Sequence, residues 1–176
     1  TDVNNELYLT STPVNELDAL NGQSFTEKNR SVTGTYDLTS KVTNASDLFR
    51  LSLTTQTAND FSIVLANEQG NELEIGYDKS ANVYYIDRSR SGKIDFEKGF
   101  GKRHTAPRLS INKTLSLTLL ADAASVELFA DGGLTVMTDV FFPDKPMNKL
   151  TIKSATGITI PTLTYTQLKS SINTGH

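Results

Sequence analysis

Apolar and polar residues alternate with a period of two over much of the chain, a pattern that is typical of half-buried β-strands. Such runs, together with short apolar stretches, occur at residues 48–54, 61–66, 73–77, 83–87, 115–119, 125–129 and 150–152. Turn residues separate them, and Asp131-Gly132-Gly133 supplies the positive-φ positions that a tight hairpin needs. Short strands about 8–12 residues apart predict an all-β, two-sheet antiparallel β-sandwich.

The first 22 residues follow a different pattern. A short strand is predicted at residues 7–9 and a short helix at residues 12–20. Thr12 suits the N-cap, Pro13 suits the first helical position, and Gly22 can end the helix. The apolar residues at helical spacing are Val14, Leu17 and Leu20. We therefore expect a linker segment at residues 1–22 and a sandwich domain at residues 23–176.

Composition and charge exclude several classes of protein. The chain has 176 residues, enough for one domain with a full core. Its net charge of -3 disfavours nucleic-acid binding, which needs a basic surface. No apolar run approaches the roughly 18 residues that span a bilayer, so we expect no membrane partner. The first residues also lack the basic start and apolar centre of a secretory signal peptide.

The residue types that most catalytic and metal sites require are missing or scattered. The chain has no cysteine and only two histidines, which do not form a zinc-binding pair. No Gly-x-Ser-x-Gly nucleophile motif accompanies any serine, and no phosphate-binding loop has the required spacing. We therefore expect no metal, no cofactor and no catalytic residue in this chain.

Three segments resemble the C-terminal β-sandwich of glycoside hydrolase family 32, the levanase-, inulinase- and invertase-like hydrolases. Residues 86–92 read Ile-Asp-Arg-Ser-Arg-Ser-Gly, and residues 125–129 read Ser-Val-Glu-Leu-Phe, followed by Asp131-Gly132-Gly133. Residues 9–20 are similar to the linker that joins the catalytic propeller of that family to its sandwich. The resemblance implies a concanavalin- or galectin-like jelly roll.

The resemblance covers the C-terminal module and not the catalytic one. In family 32 the two catalytic carboxylates belong to the propeller, in motifs that require Asp-Pro and Glu-Cys pairs, and this chain contains neither pair. The resemblance therefore implies that this fragment alone is not an enzyme and that its parent hydrolyses fructans or sucrose. It also implies a five-bladed propeller of the same polypeptide as partner, and a secreted, periplasmic or cell-surface location.

Five residues are candidates for carbohydrate binding. Sugars are recognised by planar polar groups together with aromatic rings. Such residues lie at the end of the predicted strand at residues 83–87 and within the predicted strand at residues 125–129. The candidates are Tyr84, Tyr85, Asp87, Arg88 and Glu127. The alternative interpretation is structural: Asp87 and Arg88 pair with each other or with the following loop, and Glu127 is an outward-facing strand residue.

The loop that follows these residues carries two aromatic residues and a basic run. Phe96 and Phe100 are expected to hold the loop against the sandwich, and a stacking surface is the alternative. The basic run is Lys98, Lys102, Arg103, His104 and Arg108; we expect it to belong to a solvated loop, and an anionic polysaccharide site is the alternative. Neutral fructans give no reason for such a run.

Three functions remain open from the sequence. The module stabilises the propeller, or it binds fructan through terminal fructose, or it assembles chains through its sheet edges. The first function predicts an exposed apolar patch that includes Leu7, Leu9, Val14 and Leu17.

Overall fold

A computed structural model describes residues 1–3, 5–42 and 48–169. The described residues form twelve β-strands, and every strand pair is antiparallel. The strands are β1 (Asp2–Val3), β2 (Glu6–Leu7), β3 (Asn21–Asp37), β4 (Phe49–Thr55), β5 (Phe61–Ala66), β6 (Glu72–Asp78), β7 (Val83–Arg90), β8 (Arg103–Pro107), β9 (Leu115–Ala121), β10 (Ser125–Ala130), β11 (Thr135–Val140) and β12 (Lys149–Leu168). Short 3-10 helices occupy Asn15–Leu20 and Asp131–Gly133.

Strand β12 divides the main sheet into two layers. Its residues 149–153 pair with β5, and its residues 162–167 pair with β4 on the same side. A bulge between Ser154 and Ile158 separates these two stretches. We call the layer β11-β10-β9-β4-β12 sheet A and the layer β12-β5-β6-β7-β8 sheet B. The predicted antiparallel β-sandwich is therefore confirmed.

The core lies between the two sheets and consists of the alternate residues that the sequence pattern marks as apolar. On β4, Leu51 and Leu53 are buried while Ser52 and Thr54 face outward. The other central strands contribute Ile63, Leu65, Ile75, Ile86, Leu117, Leu119, Val126 and Leu128. Complete burial of one such side chain stabilises the fold by about 1.5–3 kcal/mol, so the period-two pattern specifies both layers.

The free edges of the two sheets approach each other and nearly close the sandwich. The Thr135 hydroxyl on β11 donates to the carbonyl oxygen of Pro107 on β8 over 2.8 Å. Further along the same strands, Nδ1 of His104 lies 2.9 Å from Asp139 Oδ1. These side-chain contacts cover strand edges that would otherwise be open to pairing with another chain.

The N-terminal helix differs from the prediction. It is a 3-10 helix at Asn15–Leu20, and Val14 precedes it in an extended conformation without a side-chain cap. Thr12 is therefore not the N-cap, and Gly22 lies inside β3 instead of ending a helix. The helix ends at Leu20 because Asn21 already pairs with Leu168 of β12. A spacing of three between apolar residues matches the 3-10 period of three residues per turn.

Strands β3 and β8 were not predicted. Strand β3 has 17 residues but buries only Val32, since it pairs with β12 along one edge and leaves most side chains in solvent. No residue of β8 is buried either. Strands held mainly by backbone hydrogen bonds carry little hydrophobic periodicity, so their sequences resemble those of loops.

Candidate functional site

Strand β7 carries four of the five candidate sugar-binding residues and distributes them over both faces of sheet B. Tyr84 and Arg88 point into the sandwich, where they are 0% and 8% exposed. Tyr85 and Asp87 lie on the outer face, next to a groove that Tyr85 and Arg103 help to line. The structure therefore brings Tyr85 and Asp87 together and separates them from Tyr84 and Arg88.

Tyr84 belongs to a buried hydrogen-bonded network. Its hydroxyl donates to Asp131 Oδ2 over 2.7 Å, and the same oxygen accepts from Nε of Arg108 at 2.8 Å. Burial, reinforced by the Asp131 carboxylate, raises the pKa of Tyr84. The tyrosine ring has no surface open to a ligand, so we exclude Tyr84 from the carbohydrate contacts considered below.

Arg88 connects β7 to β11 and to the loop that follows β7. Its Nη1 donates to the carbonyl oxygen of Val140 over 2.8 Å and lies 3.1 Å from Asp139 Oδ1. Its guanidinium carbon lies 3.9 Å from the centre of the Phe100 ring. Arg88 thus pairs with Asp139 rather than with Asp87, and its burial excludes it from surface contacts with a sugar.

The outer face of sheet B carries a groove of about 410 Å³ around Tyr85. The Tyr85 hydroxyl donates to Glu74 Oε1 over 2.8 Å, and the Arg103 guanidinium lies 4.1 Å from the centre of its ring. Gly76 makes this position possible, since a Cβ there would lie 2.7 Å from the Tyr85 hydroxyl oxygen. We call this feature the outer groove; its lining includes Asp60, Ser62, Glu74, Asp78, Tyr85, Arg103 and Lys153.

The charge of Arg103 in the outer groove is paired with Asp87, which lies beside the groove. Nε of Arg103 donates to Asp87 Oδ2 over 3.0 Å, and Ser89 donates to Asp87 Oδ1. Although partial burial opposes the shift, the hydrogen bonds from Ser89 and Arg103 hold the pKa of Asp87 below its ordinary value of 3.8. Because Arg103 covers the Tyr85 ring, the outer groove offers hydrogen-bonding groups to a ligand and little aromatic surface.

Glu127 lies far from the other four candidates in the fold. It is an exposed residue of β10, between the buried Val126 and Leu128, and therefore stands on the outer face of sheet A. The core of the sandwich separates this face from the outer groove. Glu127 and Tyr85 therefore cannot contact one small sugar.

A second groove, of about 620 Å³, lies at the end of the sandwich where β9 turns into β10. We call it the end groove; it is lined by Lys93, Phe96, Ala123, Ala124, Phe142, Pro143, Asp144, Lys145 and Pro146. Phe96, Phe100 and Phe142 form one aromatic cluster, with ring centres 4.6–5.6 Å apart. Sequence reasoning identified the first two rings but missed Phe142, which only the fold brings beside them.

A third feature is apolar and belongs to the N-terminal residues. Leu7 is 87% exposed, Leu9 is 98% exposed, and Val14 is also exposed, whereas Leu17 is partly buried. Ile111, which is 67% exposed, shares the lining of a cavity of about 410 Å³ with Val3 and Thr10. We call Leu7, Leu9, Val14 and Ile111 the N-terminal surface.

Comparison with known proteins agrees with this architecture. Residues 16–170 match the model of the family described as glycosyl hydrolases family 32 C terminal. This chain belongs to that family. Over 165 residues, the family 32 C-terminal domain described here is 28% identical to a levanase of Bacillus subtilis, and these residues are 90% of the chain and 24% of the levanase.

The second relative is the extracellular exo-inulinase of Aspergillus niger. It is 30% identical over 126 residues, which are 66% of this chain and 24% of the exo-inulinase. The family 32 C-terminal domain thus spans about a quarter of the length of both relatives. The resemblance to family 32 that the sequence motifs indicated is confirmed.

Solved structures share the fold of this family 32 C-terminal domain. The exo-inulinase of Aspergillus awamori superimposes with a TM-score of 0.80 at 22% identity, over 97% of this chain and 34% of that chain. Fructan 1-exohydrolase IIa of Cichorium intybus superimposes with a TM-score of 0.74 at 14% identity, over 92% of this chain and 38% of that chain. At these identities the comparison supports the shared sandwich and carries no assignment of individual residues.

At residues 1–3, 5–42 and 48–169, no three histidine, aspartate or glutamate side chains are grouped closely enough to hold a metal ion. Over the same ranges, no helix has the length and apolar character needed to cross a lipid bilayer.

Proposed function

We propose that this family 32 C-terminal domain is the non-catalytic sandwich of a longer fructan- or sucrose-hydrolysing enzyme, and that it stabilises the catalytic propeller of the same polypeptide. The N-terminal surface carries the proposal. Leu7 and Leu9 expose nearly their whole side chains to solvent, although burying one leucine is worth about 1.5–3 kcal/mol. Each relative is about four times as long as the part of it that matches this chain, and we infer that the rest of the parent polypeptide covers this surface.

Two acidic residues in and beside the outer groove already have partners, which supports a non-catalytic role. Glycoside hydrolysis ordinarily needs two carboxylates on either side of the scissile bond, roughly 5–9 Å apart. Here Glu74 accepts a hydrogen bond from Tyr85, and Asp87 is paired with Arg103. We expect no release of reducing sugar when this chain is incubated with levan, inulin or sucrose. Turnover above the rate of a heat-denatured sample would overturn the non-catalytic assignment.

The stabilising role is tested by mixing two separately produced domains. The chain is added to the catalytic domain of its parent polypeptide, and the Tm of the catalytic domain is followed by scanning calorimetry. We expect the Tm to rise with the concentration of added chain, because a partner that binds only the folded state stabilises it. The Leu7→Ser/Leu9→Ser variant should lose this effect.

A matched control separates docking from nonspecific adhesion. Phe96→Ser removes an exposed apolar side chain from the end groove and leaves the N-terminal surface intact. This variant should still raise the Tm of the catalytic domain. An unchanged Tm with the wild-type chain, or equal loss in both variants, would contradict docking through the N-terminal surface.

Carbohydrate binding at the outer groove is the second candidate function. The observation in its favour is the Asp87–Arg103 pair beside Glu74, which presents charged donors and acceptors at the edge of an open groove. One small polar site predicts a dissociation constant on the order of 1 mM, which tethering to a catalytic domain would make useful on a polymer. Isothermal titration with fructose, levan and inulin tests this candidate.

Two variants show whether any binding heat that the titration detects arises at the outer groove. Asp87→Asn should weaken binding, because it removes the charge that orients Arg103. Glu127→Gln should bind like the wild-type chain, since Glu127 lies on the opposite sheet. Equal affinities for all three proteins would exclude Asp87 from the contacts.

The location of the protein is also a proposal. The Aspergillus niger relative is named an extracellular enzyme. We extend this location to the present protein and expect to recover it from the culture medium of the producing cells. Recovery only from the cell lysate would contradict secretion.

A further inference from the structure

The end groove has a volume of about 620 Å³, and no function considered above uses it. We propose that it is a second carbohydrate site, which binds a neutral oligosaccharide with the exposed face of Phe96 as its stacking platform. This inference does not depend on docking to a propeller or on binding at the outer groove.

The aromatic cluster offers a ring that is fixed in place but open to solvent. Phe100 packs between the Arg88 guanidinium and Phe142, with its ring centre 5.6 Å from that of Phe142. Phe96 contacts both rings, yet 60% of its surface is exposed. The packing of Phe100 is sufficient to hold the loop against the sandwich. The exposed ring of Phe96 is therefore available for another contact. Aromatic rings stack well on the apolar C–H face of a sugar.

Backbone hydrogen bonds hold the walls of the end groove together. The Lys93 N–H donates to the carbonyl oxygen of Phe142 over 2.8 Å, and the Phe141 N–H donates to that of Ala124 over 2.9 Å. Nδ2 of the buried Asn67 donates to the carbonyl oxygen of Lys145 over 2.7 Å. Three separate segments are thus joined before any ligand arrives, as in most small-molecule sites, which are largely preformed.

Gly92 permits the closest of these approaches. A Cβ at this residue would lie 2.2 Å from the carbonyl oxygen of Phe142, and its φ of +119° is one that other residues rarely adopt. The loop can therefore pass directly against the Phe142 backbone and bring Phe96 to the groove. This close crossing places the aromatic platform within the volume of about 620 Å³, which is in the usual range for small-ligand sites.

The polar groups at the rim favour a neutral sugar over an apolar protein segment. Lys93 and Lys145 supply ammonium donors, and Asp144 supplies a carboxylate acceptor. All three residues are exposed, and sugar hydroxyls can bond to their charged groups, whereas an apolar segment offers them no hydrogen-bonding partner. The mixed signs leave no strong field to select a highly charged ligand.

The position of the end groove keeps it apart from the N-terminal surface. The Ser11 N–H bonds to Gly133 at the β10–β11 turn, whereas Ala123 and Ala124 lie at the other end of β10. Six residues of strand separate these ends, a distance of about 20 Å. The N-terminal surface and the end groove therefore lie toward opposite ends of β10.

A single tryptophan provides the test. The chain contains no tryptophan, so Phe96→Trp places the only indole of the protein on the proposed platform. Its fluorescence is titrated with neutral levan-, inulin-, malto- and xylo-oligosaccharides of three to four sugars. We expect a saturable blue shift with at least one series, with a dissociation constant on the order of 1 mM. The absence of a saturable change with every series would overturn the proposal.

Titration calorimetry of variants that contain no tryptophan tests whether Phe96 contacts the sugar. Phe96→Leu keeps an apolar side chain but removes the aromatic face, so we expect the affinity for the same sugar to fall about fivefold or more. Ile111→Ala, which alters a similarly exposed residue of the N-terminal surface, should bind like the wild-type chain. Equal affinity of Phe96→Leu and wild type would overturn the platform role of Phe96.

Discussion

At the scale of single residues, two Arg–Asp ion pairs differ in how deeply they are buried. Arg108 and Asp131 are both almost fully buried, and the arginine also donates to the carbonyl oxygens of Asn112 and Thr114. Arg103 and Asp87 form an ion pair of similar length at the surface, where the arginine side chain is 43% exposed. Only the buried pair leaves an uncompensated charge in the interior when one partner is lost.

Removal of Asp131 should therefore destabilise the protein strongly. We expect Asp131→Ala to lower the free energy of unfolding by about 3–5 kcal/mol, because the Arg108 charge and the Tyr84 hydroxyl lose their partner inside the protein. Asp87→Ala should cost less than about 1 kcal/mol, since solvent screens a partly exposed pair. Urea unfolding of both variants measures the difference, and equal losses would contradict this assignment.

At the scale of elements, the bulge in β12 decides how one sheet becomes two layers. Ser154, which is buried at this point, donates its hydroxyl proton to the carbonyl oxygen of Asp60 and accepts from the Gly157 N–H. Asn59 Nδ2 donates to the carbonyl oxygen of Gly157 over 3.1 Å. The strand can therefore leave the regular ladder without leaving these backbone groups unpaired.

Substitution of Ser154 tests the importance of this corner. We expect Ser154→Ala to destabilise the fold by about 1–3 kcal/mol, because two backbone groups lose their partner at a buried place. Thr156→Ala is the matched control: its side chain is exposed in the same bulge, and its effect should stay within about 0.5 kcal/mol. Amide hydrogen exchange should show faster exchange at Gly157 in the first variant alone.

At the scale of the whole molecule, several carboxylates bind protons less readily in the folded state than in the unfolded chain. Although burial opposes it, hydrogen bonds from Tyr36 and Arg30 hold the pKa of Glu27 below its ordinary value of 4.5. Hydrogen bonds from Thr39 likewise lower the pKa of Asp37. A lowered folded-state pKa contributes stability above the unfolded value and loses it as the pH falls through the folded value.

The free energy of unfolding should therefore fall as the pH drops below about 4.5. We expect Glu27→Gln to lose roughly 1–2 kcal/mol at pH 7 and to approach the wild type as the pH falls through the lowered folded-state pKa of Glu27. Glu127→Gln, which alters an exposed glutamate, is the control, and its effect at pH 7 should stay within about 0.5 kcal/mol. Denaturant unfolding between pH 3 and pH 7 measures the three curves, and parallel curves for Glu27→Gln and wild type would contradict the linkage.

The whole molecule also presents three separate surfaces, and their separation makes their functions testable one by one. The N-terminal surface, the outer groove and the end groove share no lining residue. Variants at Leu7 and Leu9, at Asp87 and at Phe96 should therefore act independently on docking and on the two kinds of sugar binding.

The sequence by itself determined the β-sandwich, the positions of most central strands and the family. Alternating residues such as Leu51 and Leu53 carry that information locally, because burial on one face of a strand requires a period of two. Strand β3 could not be found in this way, since its pairing with β12 rests on backbone hydrogen bonds that every sequence can make.

Only the tertiary structure decided where the candidate residues stand. Tyr84 and Tyr85 are neighbours in the chain, yet one lies in the core and the other on the outer face. Phe142 joins Phe96 and Phe100 although more than 40 residues separate them in the sequence. Such groups form through contacts between segments that are distant in the sequence. The local pattern of apolar and polar residues reflects burial on one strand, so it does not show which distant side chain will lie beside that strand.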